Sequence, residues 1–135
     1  METDSWRIQA IRGATTIAEN SESAIRDAVD ELLEALETRN QLDPANIISA
    51  TFSATRDIDA TFPAAIARTR PSWDSVALLD VQQMHVEGSL PLCIRFLIHA
   101  YLPLHTEVYH PYLRGAQTLR PDWCRSALTP VAALD

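Results

Sequence analysis

Apolar positions recur along the chain with two periods, and the switches between them predict the elements. Residues 7–12 (RIQAIR) alternate with the period of two that a half-buried strand requires, and residues 13–16 (GATT) read as a tight loop. The period then changes. Ile25, Ala28, Val29, Leu32, Leu33 and Leu36 follow one another at helical spacing, an apolar stripe on an otherwise acidic helix. Asn20 or Ser21 can cap that helix, which should stop near Asn40. Residues 42–46 (LDPAN) form a turn, and residues 47–55 (IISATFSAT) have the β-branched content of a second strand. After a loop at 57–61, Pro63 suits the first position of a short helix over 63–70, which Pro71 ends. Residues 75–81 (SVALLDV) are almost continuously apolar, as in a strand covered on both faces. Residues 93–101 (CIRFLIHAY) read as another strand and 107–113 as a last short one.

This order predicts an α/β (α+β) fold: a single domain over residues 1–122, built on a mixed β-sheet with one long and one short helix. Residues 123–135 read as a tail with the composition of a flexible end. So small a domain tends to leave one face of its sheet thinly covered, and self-association would bury it.

Composition narrows the function. At 135 residues, 47% hydrophobic and 21% charged, the chain can build a core. Its apolar runs fall short of a membrane span, and its acidic start (Met1-Glu-Thr-Asp) is unlike a secretory leader, so the expected location is cytoplasmic. The formal charge of −7 argues against nucleic acid or an anionic membrane as partner. Cys93 and Cys124 lie too far apart in sequence for a CxxC pair and read as free thiols. His85, His99, His105 and His110 do not make a familiar ligand set, so no metal is expected. There is no GxSxG, GxGxxG or phosphate-loop motif.

All eleven basic residues are arginine. The lack of lysine removes Schiff-base chemistry and lysine-anchored pyridoxal phosphate. What remains is arginine at unusual places: Arg12 beside a glycine, Arg95 inside an apolar strand, and Arg120 in Leu-Arg-Pro-Asp. A guanidinium between Ile94 and Phe96 is costly to bury unless something anionic meets it. It could be a structural ion pair, an outward-pointing edge residue, or a preorganised cation facing an anionic ligand.

Those stretches resemble the AroH-class chorismate mutases. The resemblance begins at Ile11-Arg12-Gly13-Ala14-Thr15-Thr16 and continues through Ser53-Ala54-Thr55, Asp57-Ile58 and Phe62-Pro63-Ala64 to Arg68. It resumes at Gln82, Met84, Gly88-Ser89-Leu90 and Cys93-Ile94-Arg95, and closes with His110, Tyr112-Leu113, Ala116 and Leu119-Arg120-Pro121-Asp122. The matches are collinear over residues 7–122. The resemblance implies a homotrimer resembling a pseudo-barrel, with active sites in clefts between subunits. It implies the cofactor-free Claisen rearrangement of chorismate to prephenate, on the route to phenylalanine and tyrosine. By position, Arg95 would lie near the ether oxygen and a carboxylate as the main catalytic group, and Arg12 would bind a carboxylate with help from Tyr112. Arg68 and Arg120 would add positive field. Phe62, Ala64, Leu78 and Leu119 would form an apolar wall, with Leu79 also against the substrate.

Three positions depart from the family pattern. Gln83 stands where a glutamate is common, Asp80 where a cysteine is often found, and Ala65 where a lysine is frequent. The first two contact the substrate's ring hydroxyl in the family, so Asp80 could supply the carboxylate that Gln83 lacks, or could face elsewhere and pair with an arginine. Two other functions stay open from sequence: a trimer of this fold that binds a small carboxylate without turning it over, and an imine deaminase of the Rid type.

Overall fold

The computed structural model of the chain describes residues 5–127, with side chains as far as Cys124. In chain order it comprises β1 (Trp6–Thr16), α1 (Glu22–Asn40), β2 (Ile47–Ala54), α2 (Pro63–Arg68), β3 (Ala77–Gln82), β4 (Cys93–Pro103) and α3 (Pro121–Ala127). Short 3-10 turns occupy Pro44–Asn46 and Arg114–Leu119. The strands make one mixed sheet in the order β1-β4-β2-β3; β4 is antiparallel to both its neighbours, and β2 and β3 are parallel, connected through α2. The mixed-sheet α/β class is the one read from sequence, with one long helix and one short one between strands.

Four differences have physical causes. Residues 13–16 are not a loop: they continue β1 and pair with residues 93–96 of β4. Gly13 lies opposite Phe96, whose ring crosses the glycine so closely that an added Cβ would sit 2.8 Å from two ring carbons. The glycine serves close approach rather than a turn. Second, residues 107–113 are not a strand; pairing there shrinks to one bridge between Tyr112 and Ala14 on the outer edge of β1. Third, α2 ends at Arg68 and β3 begins at Ala77, because Trp73 and Val76 turn into the core between them. Fourth, the expected tail starts as α3, for which Pro121 suits the first turn; residues 128–135 lie outside the described part.

α1 forms as its pattern predicts. The Ser21 hydroxyl caps it by accepting the Ala24 N–H, and Gln41 ends it in the left-handed conformation. Its stripe of Ile25, Val29, Leu32, Leu33 and Leu36 is fully buried with Ile11, Phe52, Phe96, Ile98 and Leu102 from one face of the sheet. No helix among the described residues is long and apolar enough to cross a membrane.

A polar clamp ties α1 to the segment after α2. The Glu37 carboxylate accepts the Trp73 indole N–H at 2.7 Å and two N–H groups of Arg70 at 3.1 and 3.3 Å. Arg70 and Glu37 are mostly buried, at 14% and 19% side-chain exposure, while Glu34, also paired with Arg70, is 64% exposed. Removing one partner of a shielded charged cluster leaves the others unsatisfied. Glu37→Ala is therefore expected to cost about 2–3 kcal/mol of unfolding free energy in urea titrations. Glu34→Ala should cost less than about 1 kcal/mol.

Candidate active site

Alternation along the strands sorts side chains between two faces. Ile11, Phe96, Ile98 and Ala100 face α1, and Arg12, Ala14, Arg95 and Leu97 face the opposite side. Register then aligns a row across the sheet on that opposite face. Tyr112 neighbours Ala14, Ala14 pairs with Arg95, Arg95 with Ser53, and Ser53 with Val81. Arg12 pairs with Leu97 and is the diagonal neighbour of Arg95, which places the two Cβ atoms about 7 Å apart. Gln83 reaches the same face: its side-chain oxygen lies 3.5 Å from the Ser53 hydroxyl, and its N–H donates to the Ala54 carbonyl.

Backbone hydrogen bonds hold Tyr112 in this row. Ala14 donates to Pro111 and accepts from Leu113, both at 2.9 Å. Upstream, the buried Asn40 side chain accepts the Tyr109 N–H and donates to the Tyr109 carbonyl, fastening the segment to the end of α1. Tyr112 packs with Ala14, Ala116, Leu119 and Trp123 in a small second core. Burial pushes the Tyr112 hydroxyl above its usual range, against the opposing pull of Arg12, Arg120 and Arg95. The field of three guanidiniums thus acts on one phenol.

Their partners differ. Arg120 binds Asp122 through two N–H···O contacts of 3.1 and 2.8 Å, and its guanidinium lies over Trp123. Arg26, Arg70 and Arg114 also have carboxylates. Arg12 and Arg95 enter no ion pair among the described residues, and the Arg95 Nε is buried with no hydrogen-bond partner. A structural ion pair therefore does not account for Arg95. Beside it, burial pushes the Cys93 thiol up while Arg95 pulls it down.

A second group gathers at β3, the far edge of the sheet. Phe62 is 67% exposed at the start of α2, Arg68 is exposed at its end, and Ala64 is nearly buried between them. Phe62 cannot cap α2 with its own side chain; Asp80 reaches from β3 to accept the Ala64 N–H at 3.0 Å. Burial raises the Asp80 carboxyl above the usual carboxylate range, opposed by the Ala64 N–H and by Arg68. Leu78 points with Asp80 toward the core, and Leu79 lies exposed on the opposite face. A cavity of ≈ 580 Å³ opens here, lined among others by Thr55, Arg56, Phe62, Pro63 and Asp80. Its outer loop is pinned by Asn20, whose side chain accepts the N–H groups of Asp59 and Ala60.

The structure thus brings together Arg12, Arg95, Tyr112, Leu119 and Arg120, with Gln83 on the same face, and separately Phe62, Ala64, Arg68, Leu78 and Asp80. Three strand spacings, roughly 14 Å, separate β1 from β3. Asp80 and Gln83 fall on opposite faces of one chain. Sequence reasoning missed Trp123, assigned to the tail, and gave no role to His110 beyond its place in the resemblance; His110 accepts the Arg12 N–H and stacks on Trp123. The signal for Trp123 lay in Pro121 opening a helix immediately after Arg120.

A sequence model of the type I chorismate mutases matches residues 8–123, nearly the whole described chain and both groups of residues. The chain belongs to this family. It is 34% identical over 116 residues to chorismate mutase AroH of Bacillus subtilis (strain 168), covering 85% of this chain and 91% of that one. It is 37% identical over 118 residues to chorismate mutase AroH of Thermus thermophilus, covering 85% and 95%. A solved structure of a chorismate mutase from Clostridium thermocellum superposes with a TM-score of 0.74 at 38% identity, covering 82% of this chain and 98% of that one. For a type I chorismate mutase the mixed α/β fold described above is the one its solved relative shares.

Proposed function

We propose that the chain converts chorismate to prephenate without a cofactor, in sites that form between copies of itself in a homotrimer. The observation that carries this reading is the buried, unpartnered Arg95 Nε, set beside Arg12 and Tyr112, with neither Arg95 nor Arg12 in an ion pair among the described residues. Chorismate carries two carboxylates, and its rearrangement is unimolecular: one C–O bond breaks as one C–C bond forms. The protein's work is to hold the compact conformer and to meet charge that grows on the ether oxygen. Arg12 and Arg120 hold carboxylates, and Arg95 faces the ether oxygen. Neither a nucleophile nor a general base is required.

Two features support assembly of copies of the chain. The face opposite α1 exposes Trp6, Ile8, Leu79, Val81, Leu97 and Tyr101, apolar surface of the kind that association buries. The two groups of site residues also lie too far apart in one chain for one small dianion to touch both. A neighbour's Phe62, Ala64, Arg68, Leu78 and Leu79 would complete the pocket begun by Arg12, Arg95, Tyr112, Leu119 and Arg120. Asp80 enters this reading by fixing the turn that presents Phe62 and Ala64, and Gln83 by offering an uncharged acceptor to the ring hydroxyl.

The test is direct. Chorismate absorbance should fall on adding the protein, and acid should convert the product to phenylpyruvate. Chorismate that binds but persists would mean a carboxylate-binding trimer instead, and neither binding nor loss would favour a deaminase of the Rid type.

A further inference from the structure

We propose that Trp123 is a positioning residue that sets two of the site's cations at once: Arg120 through its ring face, and the backbone of Arg12 through His110. The claim rests on the function proposed above and adds two residues to it. The geometry is a continuous array. The Arg12 N–H donates to His110 Nδ1 at 3.0 Å. The His110 imidazole stacks on the Trp123 indole, centroids 4.0 Å apart and planes 20° from parallel. The Arg120 guanidinium carbon lies 3.5 Å from the indole centroid, and Tyr112 meets the same indole edge-on at 5.5 Å. One side chain from α3 therefore touches three groups that border the site. It sits three residues after Arg120, on the first turn of α3, so docking of that turn and placement of the cation are one event.

The hydrogen bond also fixes which form of His110 the array can use. An imidazole that accepts at Nδ1 carries its proton on Nε2. A protonated ring would lose the Arg12 contact and face Arg12 and Arg120 as a third cation. Burial and those two guanidiniums all push His110 toward the neutral form. Without the indole, Arg120 keeps Asp122 as its partner among the described residues, an exposed carboxylate two residues away, and that contact competes with a substrate carboxylate for the same N–H groups. The indole face offers the cation a partner that leaves its N–H edge available.

Trp123→Ala should raise KM for chorismate about tenfold with kcat within about twofold, and Trp123→Phe should bring KM back to within about twofold of the parent. A role confined to stability would reduce the folded fraction, lowering apparent kcat at unchanged KM. That result, or a phenylalanine variant as defective as the alanine one, overturns the proposal. A second readout needs no substrate. In nitrogen-15 spectra of histidine-labelled protein, His110 should be a single Nε2-protonated tautomer in the parent and in Trp123→Phe, and a mixture in Trp123→Ala. A single tautomer in all three overturns the coupling. A parent that leaves chorismate unchanged while these spectra behave as expected counts against the proposed function and not against the array.

Discussion

Replacing Arg95 by alanine is expected to lower kcat/KM for chorismate by about a hundred- to a thousandfold, most of it in kcat, while the protein still folds. The split follows from what the side chain does. A carboxylate charge is present in substrate and transition state alike, so a group that only binds it lowers KM and leaves kcat largely alone. Charge on the ether oxygen develops along the reaction, and a cation that meets it acts mainly in the transition state. Arg95 is placed for the second role: it stands on an inner strand, flanked by Ala14 and Ser53, and its buried Nε is not engaged by protein. Folding should survive because no ion pair among the described residues depends on Arg95. Arg12→Ala, by contrast, should act mainly on KM. Stopped-assay kinetics with matched thermal melts separate these outcomes. A loss under about tenfold for Arg95→Ala, or an effect on KM alone, would remove Arg95 from its role.

Much of this arrangement can be read from sequence, and the limits of that reading have causes. The stripe from Ile25 to Leu36 yields α1 because a helix buried on one face needs an apolar side chain at every turn. Arg95 stands out because a charge inside an apolar strand is costly. Residues 13–16 mislead because glycine and two threonines suit a loop by local preference, and the pairing that makes them strand comes from residues 93–96, some eighty positions later. The segment 107–113 misleads in the opposite sense: its extended backbone is held by Asn40 rather than by a ladder. Asp80 and Gln83 are three apart, so strand alternation puts them on opposite faces, yet sequence alone does not reveal that Asp80 spends its carboxylate on the N–H of Ala64. The role of Trp123 is hard to read from sequence, because its partners His110 and Tyr112 precede the 3-10 turn and Arg120 follows it, with no periodicity linking them.

The division of the site between two groups leads to the second large effect, which appears only when copies are mixed. One variant is Arg95→Ala. The other carries Phe62→Glu with Arg68→Glu, which sets carboxylates where a dianion must enter; both positions are exposed, so the fold should tolerate the change. The second variant should lose about a hundredfold in kcat/KM through charge repulsion in a partly desolvated pocket. In the proposed homotrimer, when the two variants are co-expressed with different tags and purified through both, every assembly contains at least one copy of each. In a closed ring of three, each junction joins one copy's Arg95 face to the next copy's α2 edge. Whether the ring holds two of one variant or two of the other, one junction in three pairs an unaltered Arg95 face with an unaltered α2 edge. Activity should therefore recover to about a third of the parent, far above either variant alone. The recovery cannot arise if both groups serve a site within one chain, since every chain then carries a defect. Mixed trimers no more active than the average of the two pure variants would rule out the shared site, and with it the reason the two groups lie roughly 14 Å apart.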